Sequence, residues 1–234
     1  LHIDLVSPKT LGIVVLERLQ LTRACVDLLC AGDTVEVFEY GRLTPLEQQE
    51  EALMNYRHLQ AGDCVIAFSR RSCYELKQRI EQLHKGRHKC CVVYGGLPPG
   101  ARKEQARLFN SQNSGFDILV ATDAVGMGLN LSIGRIIFSS MEKFDGTKSR
   151  PLRPDEIKQI AGRAGRYQSM YPNGKVACLR PDDMRALKRG LQVRDKRIPS
   201  AGLFPTIDEL RTIEGMAHAE AVIVSIWLGN ISAN

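Results

Sequence analysis

The run Gln159-Ile160-Ala161-Gly162-Arg163-Ala164-Gly165-Arg166 carries the residue types that grip a phosphate. A guanidinium presents a planar fork of donors to phosphoryl oxygens. Read as a helix, Gln159 lies four residues before Arg163 and Arg163 three before Arg166, so all three side chains project from one face. Gly162 and Gly165 carry no side chain, which lets a second backbone or a ligand approach the same turns. Each glycine costs a helix about 1 kcal/mol relative to alanine, so stability alone does not ask for two. An exposed basic helix would contain the same residues. The surroundings have to decide.

A second chemical signal lies upstream, where the apolar run Ile118–Ala121 delivers Thr122 and Asp123 to the end of a buried strand. Gly126-x-Gly128 then opens a loop whose amides can face a ligand. Gly-x-Gly after a strand is part of a dinucleotide fingerprint, but the third glycine is missing at the required spacing. A Rossmann-type nucleotide site is therefore disfavoured.

The elements that must position these residues alternate along the chain. Strands are expected at Cys64–Phe68, Cys90–Tyr94, Asp117–Thr122, Arg135–Ser139 and Gly174–Leu179, the first of them apolar without polar alternation, as for a strand buried on both faces. Between them come a helix capped by Ser72-x-x-Glu75, with Leu76, Ile80 and Leu83 on its core side, and a basic helix Ala101–Asn110. Further upstream, Leu11–Cys30 reads as a buried helix and Thr34–Tyr40 as a short strand. Thr44-Pro45-Leu46-Glu47 has the form of a capping box opening a helix through Leu59. The alternation predicts an α/β fold, a parallel sheet flanked by helices with ligand loops at the carboxyl ends of its strands. Arg150–Pro154 and Ile198–Pro205 are proline-bearing connectors, the second closing the α/β domain.

The 234 residues are 44% apolar and 25% charged, enough for one large domain or one domain with pieces of others. A net charge of +6 favours polyanionic partners. The seven cysteines (Cys25, Cys30, Cys64, Cys73, Cys90, Cys91 and Cys178) form no C-x-x-C pair, which fits reduced, mostly buried thiols and disfavours a zinc site. No apolar run approaches membrane-spanning length, Leu11–Leu16 and Ala221–Leu228 being too short. Leu1 is not an initiator methionine and no targeting segment is visible, so the chain is expected to begin inside a longer protein.

Taken together these stretches resemble the second RecA-like domain of superfamily-two helicases. CVIAFSR (64–70) is similar to motif IV, ILVATDAVGMGLNL (118–131) to motif V and QIAGRAGR (159–166) to motif VI, in the family's order and spacing. Within the superfamily, VVYGGLPPGARKEQARLFN (92–110), MGLNLSIGRIIFS (127–139), EIKQIAGRAGRYQS (156–169) and SAGLFPT (200–206) resemble the mitochondrial degradosome RNA helicase family. Its plant-type members are most similar, through FDG (144–146) and AGLFPT (201–206). On this resemblance residues 1–41 are a tail of the first RecA-like domain, 42–197 the helicase C-terminal RecA-like domain, and 198–234 the start of a helical C-terminal region.

The resemblance implies an ATP-dependent RNA helicase of organellar RNA degradation, in the mitochondrial matrix, with an exoribonuclease as partner. It makes Arg166 the arginine finger, Arg163 its companion, and Gln159 the group ordering the γ-phosphate or attacking water. Gly128 and Asn130 fall on the nucleotide side, Asn130 where DEAD-box proteins place an aspartate near the ribose. Ile160 stands where many of those proteins carry arginine, as in the degradosome and related processive helicases. Ser69, Arg70 and Thr122 fall on the RNA side. Arg102 is either a phosphate-binding arginine or a solvated helix residue.

Ser140–Arg153 is long for a connection inside a compact domain. Asp145-Gly146 gives it a two-residue hairpin turn, with Lys143, Phe144, Lys148 and Arg150 on the arms. In related helicases a hairpin here wedges duplexes apart, so the segment is either a strand-separating pin with Phe144 stacked on a base, or a surface loop. ATP and Mg2+ are the implied cofactors, yet the chain has no G-x-x-x-x-G-K-[ST] and no D-E-x-[DH]-type acidic pair after a strand to hold the metal. Alone it is expected not to hydrolyse ATP. An ATPase-dead RNA-binding or assembly module is the alternative.

Overall fold

In the computed structural model, the described residues are 2–7, 10–16, 34–40, 44–112, 114–126, 129–167 and 169–194. The chain divides into two compact units, residues 1–20 with 32–196 and residues 21–31 with 197–234. The second unit lies outside the described residues, and with it the connector 198–205 and the expected helical region after it.

Six strands build the sheet that carries the motifs: β4 (Leu46–Gln48), β5 (Asp63–Ile66), β6 (Cys90–Val93), β7 (Ile118–Ala121), β8 (Arg135–Phe138) and β11 (Gly174–Cys178). Their order is β4-β11-β8-β5-β7-β6, and every pairing is parallel. Parallel strands need crossovers, and α1 (Arg70–Leu83), α2 (Pro99–Asn110) and α3 (Pro154–Ala161) lie in them, while α4 (Pro181–Gln192) follows the last strand. This is a RecA-like α/β fold.

Alternation along each strand divides its side chains between two cores. Cys64, Ile66, Cys91, Val93, Leu119, Ala121, Ile136 and Phe138 pack with Ala106 and Phe109 of α2, Ile157 and Ile160 of α3 and Leu187 of α4. Val65, Cys90, Val92, Ile118, Val120 and Ile137 pack on the opposite face with Cys73 and Ile80 of α1 and with Leu53, Tyr56 and Leu59. Covering both faces explains the uninterrupted apolar runs. The five described cysteines are all buried free thiols, and burial pushes the Cys90, Cys91 and Cys178 thiols up to about 12.

Three expectations are corrected. Thr44–Leu59 is not a helix: Leu46–Gln48 is edge strand β4, paired with β11, and only Tyr56–His58 turns as a short 3-10 helix. The capping signals there are local, and pairing with a strand about 130 residues away overrides them. Of the expected helix Leu11–Cys30, the first six residues belong to strand β2 (Thr10–Leu16), between antiparallel β1 (His2–Ser7) and parallel β3 (Thr34–Tyr40), and residues 17–30 lie outside the described residues. A short apolar run does not separate strand from helix by periodicity. Finally, α1 starts three residues early, with Ser69 as its cap: the Ser69 hydroxyl accepts the Ser72 N–H at 3.0 Å.

Candidate nucleotide and nucleic-acid site

Helix α3 is short because its last turn is replaced by a bend. Pro154 occupies the first turn, where a missing N–H costs nothing, and Glu156 at the third position caps the amino end through the Arg153 N–H at 2.8 Å. The helix ends at Ala161 with Gly162 as its cap. Arg163 to Arg166 therefore lie on a turn, and the expected single helical face of Gln159, Arg163 and Arg166 is corrected. Gly165 has φ +73°, and its N–H donates to Ile133 O at 2.8 Å, stitching the turn to the segment before β8. The Arg166 N–H is held by Tyr171 O at 3.0 Å. Gly165 lies against Gly174 at the start of β11, so close that a Cβ on Gly165 would sit 2.3 Å from Gly174 N.

This bend walls a concavity of about 220 Å³ lined by Val125, Asn130, Leu131, Ile133, Arg163 and Arg166, among others. Arg163 and Arg166 are its only charged lining side chains among the described residues. No carboxylate offsets them, which suits an anion. Asn130 is exposed at the rim, and its carbonyl accepts from Asn110 Nδ2 at 2.7 Å. The structure thus brings Asn130, Arg163 and Arg166 together. Gln159 is exposed on α3 but is not a lining residue, and Gly128 lies outside the described residues.

The RNA-side candidates gather at the carboxyl ends of β5, β6 and β7. Ser69 caps α1, and the Arg70 guanidinium lies 5.4 Å from the centroid of the Tyr94 ring, a cation–π contact. Thr122 is buried, its N–H donating to Val93 O at 3.0 Å and its hydroxyl accepting the Ala124 N–H at 3.4 Å. Arg102 is not a solvated helix residue: its Nη2 donates to Gly95 O at 2.6 Å and Leu97 O at 3.2 Å, fastening the turn after β6.

Ser140–Arg153 does form a hairpin, of β9 (Glu142–Phe144) and β10 (Ser149–Pro151), with Phe144 opposite Ser149. Its connection is the four residues 145–148 rather than a two-residue turn. The cause is the Asp145 side chain, whose Oδ1 accepts the N–H groups of Thr147 (3.0 Å) and Lys148 (2.9 Å) and holds the carboxyl below its ordinary value. Phe144 is 63% exposed.

Lys143 and Arg150, expected on the arms, are there and turn inward. Both meet Glu156, the Arg150 fork at 2.9 Å to each carboxylate oxygen and Lys143 Nζ at 2.7 Å. Sequence reasoning missed Glu156; the signal was a carboxylate two residues after a helix-opening proline. The Arg150 and Lys143 hydrogen bonds push its carboxyl well below the ordinary value of 4.5. A depressed carboxylate contributes stability above its unfolded-state value and loses it as pH falls toward the folded-state one. Acidification below about pH 4.5 should therefore lower the thermal midpoint, and Glu156→Gln should flatten that decline while lowering the midpoint at pH 7. An unchanged acid slope in the variant would assign the decline to other groups.

The helicase conserved C-terminal domain matches residues 47–168. The chain is 54% identical over 179 residues to the ATP-dependent RNA helicase SUV3, mitochondrial, of Oryza sativa subsp. japonica, covering 76% of this chain and 31% of that protein. It is 49% identical over 183 residues to the DExH-box ATP-dependent RNA helicase DExH16, mitochondrial, of Arabidopsis thaliana (78% and 32%). With the ATP-dependent RNA helicase SUPV3L1, mitochondrial, of Gallus gallus the identity is 42% over 197 residues (80% and 24%). The chain thus spans a third or less of the length of these relatives. With a parallel RecA-like sheet and this match over residues 47–168, the chain belongs to the helicase conserved C-terminal domain family.

Proposed function

We propose that this chain is the second motor half of a mitochondrial ATP-dependent RNA helicase, acting in RNA degradation and surveillance beside an exoribonuclease. The observation that carries the reading is the convergence of Arg163, Arg166 and Asn130 on one concavity without a carboxylate. Arg166 acts as the finger that takes up charge developing on the transferring phosphoryl group, with Arg163 beside it. Gln159, exposed on α3, orders the γ-phosphate or attacking water once the partner half closes. Gly128 belongs to the same nucleotide side. Asn130 faces the ribose.

When bound, ATP with Mg2+ supplies the phosphoryl group and the metal's charge neutralisation. The arginine-lined concavity fits phosphate oxygens. The metal is held mainly by the other half, which on the family resemblance carries the phosphate loop and the acidic pair. RNA runs across Ser69, Arg70, Arg102 and Thr122 at the strand ends, and the exposed Phe144 ring stacks on a base at the hairpin tip.

The test is RNA-stimulated ATP hydrolysis by the complete two-lobed protein. No stimulation by single-stranded RNA would overturn the reading. The 234-residue chain itself should bind single-stranded RNA weakly and with little sequence preference. Its affinity should fall as salt rises, each neutralised phosphate adding about −0.7 to the log–log slope. Affinity that ignores salt between 50 and 200 mM, roughly the range over which counterion release acts strongly, would remove these basic groups from the interface.

A further inference from the structure

The hairpin does not simply protrude from the sheet. Its central inner residue, Lys143, is 19% exposed and touches two carboxylates on two different elements: Glu156 Oε1 at 2.7 Å and Asp123 Oδ2 at 3.2 Å. Asp123 opens the 3-10 turn Asp123–Gly126, whose Val125 lines the arginine concavity. Glu156 opens α3, whose far end feeds Gly162 and Arg163 into the same concavity. One ammonium therefore joins both walls of the nucleotide side to the hairpin. Phe144, next in sequence, carries the exposed ring.

We infer that Lys143 is a positioning residue that couples RNA engagement at the hairpin to the arginine turn. The inference rests on the helicase reading above. A base or duplex end pressing on Phe144 displaces β9, and Lys143 passes that displacement to Asp123 on one side and to α3 on the other. Folding does not require this bridge. Without Lys143, Glu156 keeps both Arg150 contacts at 2.9 Å and the Arg153 N–H at 2.8 Å. Asp123, 45% exposed, is solvated by water instead. Arg150 carries the structural share; among the described hairpin residues, Lys143 is the one ion-paired to Asp123 of the strand-end turn.

The experiment is Lys143→Met in the complete two-lobed protein, with Lys143→Arg and Arg166→Ala beside it. Expected for Lys143→Met are a thermal midpoint within about 4 °C of wild type, single-stranded RNA affinity within about threefold, and RNA-free ATP hydrolysis retained. The factor by which RNA stimulates hydrolysis should drop at least about fivefold, the low end of ordinary coupling between sites. Lys143→Arg, which keeps the charge and the reach, should restore most of it. Equal loss of RNA-free and RNA-stimulated hydrolysis overturns the coupling, as does a stimulation factor unchanged from wild type. Failure of the underlying reading looks different. Wild type without RNA stimulation, or Arg166→Ala with full turnover, overturns the helicase assignment whatever Lys143→Met does.

Discussion

Replacing Arg166 with alanine in the complete two-lobed protein should reduce ATP turnover about 10³–10⁵-fold, the effect of removing an arginine finger from phosphoryl-transfer sites. ATP should still bind, because the ground-state phosphates are held mostly by the other half and the finger acts on charge that develops in the transition state. Arg163, lining the same concavity, should behave similarly when truncated. Lysine should rescue neither position, since a point charge does not reproduce the planar fork. The measurement is single-turnover hydrolysis together with nucleotide affinity. Turnover within tenfold of wild type for Arg166→Ala, or equal losses in binding and hydrolysis, would remove the finger assignment.

The second large effect is expected without touching either arginine. Gly165→Ala places a methyl group about where Gly174 N already stands, and Gly174 in turn lies against the Ala164 carbonyl. Neither contact is the free end of a flexible side chain, so the bend or β11 has to move. Gly115 supplies the control: it has the same φ of +73° but nothing within 4 Å of an added Cβ. Gly115→Ala should cost only the left-handed backbone penalty, about 1–2 kcal/mol. Gly165→Ala adds the overpacking of two backbones, for a total of roughly 2–5 kcal/mol. A shift of about 1 Å in the arginine turn should also cost about 10²-fold in turnover. Chemical denaturation of the two variants separates the contributions. Equal costs for both would mean that the close approach to Gly174 does not constrain the turn.

How far the residues alone reached differs from segment to segment, for a physical reason. Cys64–Ile66, Cys90–Val93 and Ile118–Ala121 were legible as strands because both faces are covered, which removes polar residues from the run itself, while Arg135–Phe138 and Gly174–Cys178 keep one charged residue each near the start of an otherwise apolar run. That Arg163 and Arg166 would face one site was legible too, since a phosphate site needs particular donor types at particular spacings, and spacing survives in the sequence. The conformation of the arginine run was not. Its periodicity admits a helical face, and the bend follows from Gly174 arriving against Gly165 from a later strand. Thr44–Leu59 went the same way: local caps are worth about 1 kcal/mol each, while joining the edge of a six-stranded sheet supplies a whole ladder of backbone partners. Lys143 and Arg150 show the limit most directly. Composition placed cations on a hairpin but carried no information on which way the hairpin leans. Only the packed structure turns both onto Glu156, because a buried carboxylate is stabilised by whatever charge the fold brings within 3 Å, however the chain between them is arranged.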